Sequence, residues 1–229
     1  MSVGEVRRSL LLGPQGKLDH ILWVVKRENE IGLITDPGRG EALAAALGRF
    51  RIRVDVEIES EPDPVWLAVE GDPSDDLVGI DVSWSAVRRI LLVGERPDIS
   101  SGAVERYEML RIRDGEPAWG TDVDDTTIPE ESGLVSKSVD FTKGCFLGQE
   151  LVARIDSRGG NVPHRLRWLE LSGDVDRGSV LISDGKEVGR LTSVTGDLGM
   201  ALVKRQVEPG DLVTAGTGQA TVVEIPSNS

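Results

Sequence analysis

The last third of the chain is written in short segments that alternate apolar and polar residues. From Arg165 onward LRWLELSG, SVLISDG, KEVGRLTSVT, GMALVKR, DLVTAG and ATVVEIP follow one another, separated by turns rich in Gly and Asp. Such segments read as strands, and six of them joined this tightly read as a small antiparallel barrel. The residues before them mix strand and helix patterns. The expected fold class is therefore α+β, with a body over residues 1–164 and an all-β domain over 165–229.

Within the body, LLLGPQGKLDHILWVV reads as strand, turn and strand, with Pro14 and Gly16 supplying the turn, and ENEIGLITD continues the meander. Asp36 is expected to cap a helix with Pro37 at its first position, carrying Leu43, Leu47 and Phe50 at helical spacing. RIRVDVEIES alternates strictly, with Ile52, Val54, Val56 and Ile58 on one face, which predicts a half-buried strand. VWLAVEG and RRILLVGE read as further strands, and DPSDDLVG between them as a short capped turn of helix. A second helix is expected from about Gly102, with Val104, Tyr107 and Leu110 or Arg111 along one face and Gly115 ending it. Residues 121–138 form a polar, acidic connection. Trp23, Trp66 and Trp168 sit in strand patterns and are expected in the core or at the barrel edge, whereas Trp119 is placed to line a cleft.

At 39% apolar and 28% charged residues, with no apolar run near the ~18 that a membrane span needs, no membrane partner is expected. A formal net charge of -13 disfavours direct nucleic-acid binding, which needs a basic face. No secretory cleavage site is visible, and a single cysteine permits no internal disulfide, so a reducing cytoplasm is the expected compartment. Around that cysteine the charge reverses locally: Lys143, Arg154, Arg158, Arg165 and Arg167, with His164, stand against Glu150 and Asp156. The cluster reads either as a solvated face or as a basic surface around the thiol.

The cysteine lies in TKGCFLGQE, and Leu151 and Ile155 are four apart, so a helix is expected to start near Gly148 or Gln149. Cys145 then precedes a helix N-terminus, where free N–H groups and Lys143 favour a thiolate, while Gly144 and Gly148 leave room for an approaching ligand. A small buried hydrophobe in a turn is the other reading. A nucleophilic pair would need His20 or His164, and a zinc site would need a fourth ligand besides. The run Asp122, Asp124, Asp125 lacks a metal-binding cadence and reads as a solvated loop. No catalytic residue and no metal site is assigned.

KGCFLGQE, followed by LVARIDSRGG and RLRWLEL, closely resembles the signature of the YgfZ-type folate-binding proteins, relatives of the glycine-cleavage T-protein, an aminomethyltransferase. The resemblance implies a T-protein-like folate-binding body, a small C-terminal barrel, and an accessory role in assembly or repair of iron-sulfur enzymes linked to tRNA modification. It implies tetrahydrofolate or a derivative as ligand, and iron-sulfur client enzymes or assembly proteins as partners. Lys143, Gly144, Cys145, Gly148, Gln149 and Glu150 match the motif, with Arg154, Arg158 and Gly159 downstream. Arg111, Lys143, Arg154 and Arg158 are the folate-binding residues it suggests, and Cys145 the functional thiol.

Three departures qualify this. The family carries several dozen residues before the block that begins here at Ser9, so the body is expected to be short at its N-terminus. Where the transferases place a catalytic aspartate the chain has His20 and Ile21, with Asp19 on the opposite face of a strand. Where relatives hold a pterin with a glutamate the chain has Arg113, with Asp114 as substitute only if the helix end shifts. The first loss of chemistry disfavours aminomethyl transfer. The second weakens folate binding, since each unpaired buried group costs roughly 1–3 kcal/mol. One cysteine also falls short of the four thiolates that usually hold a cluster, so Cys145 is expected to act transiently, as a shared ligand or redox-sensitive thiol. An aminomethyltransferase-like enzyme and a ligand-free interaction module with a decayed folate site are the alternatives.

Overall fold

In a computed structural model the described residues are 1–60, 65–69, 79–84, 88–93 and 102–224; the helical turn expected at 72–79 falls almost wholly outside them, as does the side chain of Trp66. Strands β1 (Val6–Leu12), β2 (Leu18–Lys26) and β3 (Ile31–Thr35) form an antiparallel sheet in that order. The β1–β2 turn closes with the Gly13 N–H donating to the Lys17 carbonyl and the Gly16 N–H to that of Gly13. Leu12, Leu18, Ile21, Leu22 and Val25 go into the core. Helix α1 (Gly40–Gly48) starts three residues later than expected: Asp36 accepts the Arg39 N–H through its carbonyl in a turn, and no side chain caps the helix. Leu43 and Ala46 are buried, and Phe50 lies exposed beyond the end.

The largest correction concerns residues 51–60. Their alternation is real, yet they form no strand, and Ile52, Val54 and Val56 are 71%, 58% and 43% exposed. Alternation prepares one face for burial but supplies no partner, and among the described residues no strand lies alongside. Beyond this segment β4 (Val65–Val69), β5 (Ile80–Asp81) and β6 (Arg89–Val93) make a second antiparallel sheet in the order β4-β6-β5.

Helix α2 (Val104–Arg113) ends at Gly115, whose φ of +69° and N–H to the Ile112 carbonyl suit a residue without Cβ. Its buried residues are Arg111 and Ile112, while Val104 faces solvent, so the core-facing stripe sits nearer the C-terminus than expected. A 3-10 turn at Pro129–Ser132, helix α3 (Val135–Ser138) and helix α4 (Gln149–Asp156) follow. Among the described residues no helix is long and apolar enough to cross a membrane.

The six expected C-terminal strands are all present: β7 (His164–Ser172), β8 (Val180–Ser183), β9 (Lys186–Thr195), β10 (Leu198–Lys204), β11 (Leu212–Ala215) and β12 (Gly218–Val223). They close into a barrel in the order β10-β7-β12-β11-β8-β9. Leu169, Leu181, Val188, Leu191, Val203, Val213 and Val222 fill it. Register shifts at Leu181/Ile182 and Met200/Ala201 supply the extra bend that closure requires. On the outside Leu166 and Met200 pack against Ile112 of α2, so the body rests on the β7–β10–β9 wall.

Candidate functional site

Helix α4 begins at Gln149, as the spacing predicted, with Gly148 as its N-cap at φ +79°. A Cβ on Gly148 would stand 2.9 Å from the Gly16 Cα, and one on Gly16 would stand 2.8 Å from the Leu151 Cβ. The β1–β2 turn and the start of α4 therefore meet backbone to backbone. Gly148 serves that packing and leaves no room for a ligand, whereas Gly144 faces open space. Gln149 closes the loop on itself, its Oε1 accepting the Phe146 N–H at 3.2 Å and its own N–H donating to the Phe146 carbonyl. The N–H groups of Leu151 and Val152 both go to the Gly148 carbonyl.

Cys145 is exposed on this anchored loop, which removes the buried-hydrophobe reading. Phe141 and Leu147 are exposed on either side of it in the sequence, and Glu150 is exposed on the first turn of α4. The Lys143 ammonium sits 4.9 Å from the centre of the Phe146 ring, a cation–π contact. Arg154 and Arg158 are exposed on and just beyond the last turn of α4. Arg165 donates to the Gly160 carbonyl at 2.8 Å, and burial with the neighbouring Arg165 charge holds Arg167 below the ordinary arginine range. His164 opens β7, and both its N–H and its Nδ1 lie 3.1 Å from Oε1 of buried Glu131, whose Oε2 accepts the Ile128 N–H. Glu131 thus ties the 3-10 turn to the barrel, a role nothing in its sequence context announces.

Arg111 is the main surprise among the anticipated ligand residues. Its side chain is 2% exposed and that of Asp122 0% exposed, and the two pair at 2.7 Å. Its remaining donors go to Glu108, the Glu116 carbonyl and Ser193. All five N–H groups are occupied, so Arg111 has none to offer a folate. Burial works to lower its pKa, but the carboxylates of Glu108 and Asp122 prevail and raise it. Asp122, expected in a solvated loop, also accepts from Ala118 N–H, Thr192 and Ser193. Since Thr192 and Ser193 belong to β9, the pair fastens the body to the barrel. Asp124 does cap a local turn, its carboxyl held below the ordinary range first by Thr126.

The two positions where the sequence departs from the transferases are also committed internally. His20 is buried, stacked on Trp119 at 6.4 Å, with Nε2 3.3 Å from the Arg39 guanidinium and Nδ1 3.2 Å from Asp19. Burial and Arg39 hold it below its ordinary pKa in spite of Asp19, so it is neutral. Arg39 lies over Trp119, filling the place where that ring was expected to line a cleft. Asp114 is buried against Arg89 at 3.3 Å and accepts Trp84 Nε1–H through its carbonyl, while Arg113 is exposed. Arg89 also bonds Glu116, as does Arg8. Arg8 lies 4.1 Å from the Trp84 ring and 5.2 Å from Trp23, and burial pushes its pKa down to about 10. Among the described residues no three His, Cys, Asp or Glu side chains converge as a metal site.

Residues 164–228 match the CAF17 C-terminal beta-barrel domain. A chloroplast protein of Arabidopsis thaliana, whose name marks it as a candidate transferase, is 37% identical over 128 residues, covering 52% of this chain and 29% of its own. The human mitochondrial iron-sulfur cluster assembly factor IBA57 is 32% identical over 136 residues, covering 54% of this chain and 38% of its own. The chain thus spans well under half the length of these curated relatives. The crystal structure of glycine cleavage system aminomethyltransferase T from Bartonella henselae superposes with a TM-score of 0.84 at 15% identity, over 98% of this chain and 76% of that one. The fold is T-protein-like: a mixed body followed by a closed six-stranded barrel.

Proposed function

We propose that this chain is an accessory factor in the assembly or repair of iron-sulfur proteins, of the YgfZ type, with Cys145 as its functional thiol. The observation that carries the proposal is the placement of that thiol: the chain's only cysteine is held in solvent on a loop locked by the Gly16–Gly148 contact. Similarity to an assembly factor by name supports it. One thiolate cannot hold a cluster that usually needs four, so Cys145 serves as a ligand shared with a partner or as a redox-sensitive group. The client enzymes include those that thiolate tRNA, and the compartment is the cytoplasm.

Folate enters this reading in a reduced form. Lys143, Arg154 and Arg158 present exposed cations that suit the anionic glutamate tail of tetrahydrofolate. The pterin end finds no match, because Arg111 is fully paired, Arg113 replaces the glutamate and Asp114 is committed to Arg89. Folate is thus proposed as a weak, tail-held ligand, and no chemical step is assigned to it. Aminomethyl transfer is set aside, since buried neutral His20 occupies the place of the catalytic aspartate and Asp19 faces His20 and Arg49.

Loss of the gene is expected to lower the activity of iron-sulfur enzymes without lowering their abundance. Unchanged activities would sink the assignment. For folate, anaerobic titration followed by tryptophan fluorescence and calorimetry should show weak saturable binding that is lost on charge reversal at Lys143, Arg154 and Arg158. Binding insensitive to those charges would refute the tail-held mode.

A further inference from the structure

Residues 51–57, RIRVDVE, have a charge order that is complementary to itself when read backwards. Opposed antiparallel with Val54 facing Val54 of a second copy, the segment sets Arg51 against Glu57, Ile52 against Val56 and Arg53 against Asp55. A shift that centres the pair on Asp55 puts two aspartates face to face, and one that centres it on Arg53 puts two arginines face to face. Only the Val54-centred register meets every charge with its opposite, while directly opposed residues keep the apolar row on one face.

From Arg53 onward the segment is free to pair, while the N–H groups of Arg51 and Ile52 go to the Gly48 and Phe50 carbonyls and would exchange those bonds in a ribbon. Ile52, Val54 and Val56 are exposed, and among the described residues no backbone N–H from Arg53 to Ser60 donates to another backbone group. Ile52 and Arg53 form a bend, and Arg53, at φ +60°, takes a left-handed conformation that is unfavourable for arginine and that extended pairing relieves. We infer that two copies of this chain associate through residues 51–57, as a two-fold antiparallel ribbon centred on Val54. The ribbon is short and each copy carries -13, so the dimer is weak and forms at moderate ionic strength, where repulsion reaches only about 8 Å.

Sedimentation equilibrium of the intact chain, from micromolar to several hundred micromolar, reads the association. Wild type should move from monomer to dimer across that range. Arg51→Glu and Glu57→Arg, each creating two like-charge pairs per dimer, should weaken it by about tenfold, and the double variant should restore it. Val54→Lys, which opposes two ammonium groups at the axis, should abolish it. All three positions lie on an exposed segment, so unchanged melting confirms that folding is intact. A chain that stays monomeric throughout overturns the inference. So does a dimer indifferent to these substitutions, or one that the double variant fails to restore.

Discussion

Replacing Arg111 with methionine removes a guanidinium whose five donors hold Glu108, the Glu116 carbonyl, Asp122 and Ser193. Breaking one side of a buried ion pair costs about 3–5 kcal/mol, chiefly because the surviving charge is left in a dry site. Here Asp122 keeps Ala118 N–H, Ser193 and Thr192 as neutral donors, which places the loss near the lower end, about 3 kcal/mol. The Glu116 carbonyl loses its side-chain donor as well, but the Glu116 carboxylate keeps Arg8 and Arg89. Because Asp122 reaches Thr192 and Ser193 on β9, the effect should be felt at the contact between body and barrel. Urea unfolding followed by tryptophan fluorescence should show a lower midpoint, and Arg111→Met with Asp122→Asn together should cost less than the sum of the two. An Arg111→Met protein within about 0.5 kcal/mol of wild type would refute the view that this pair fastens the domains.

Gly148→Ala combines a left-handed backbone with a methyl 2.9 Å from the Gly16 Cα, and should lose at least about 2 kcal/mol in a thermal or urea melt. His20 has a folded pKa below its unfolded value of about 6.5, so the unfolded chain binds the extra proton first. Its contribution is present above that pH and is lost as pH falls through the folded pKa; a urea midpoint measured from pH 7.5 downward should fall accordingly, with a shallower fall in His20→Gln. Cys145→Ser should leave melting unchanged, and iodoacetamide should alkylate the native wild type without unfolding it.

The barrel was legible because each of its strands is short, apolar on one side and followed at once by a turn, so local pattern and global closure agree. The turn and helix start that carry Cys145 were legible for the same reason. RIRVDVEIES shows the limit, since its pattern is as strong as that of any barrel strand but pairing depends on what lies alongside. Arg111 shows a second limit: an arginine in a family block gives no sign of whether its donors face a ligand or Asp122. The spacing from Arg111 to Asp122 spans a helix end and a loop, which no local period describes. From its motif Gly148 suggests room for a ligand, and only the approach of Gly16, far away in sequence, reveals it as a packing residue.

The most direct measurement of the central claim is the activity of iron-sulfur enzymes in cells whose own copy is removed and replaced by wild type or Cys145→Ala at equal abundance. The account predicts recovery with wild type and little or none with the alanine variant, because it makes the exposed thiol the working group. Full recovery with Cys145→Ala would contradict it.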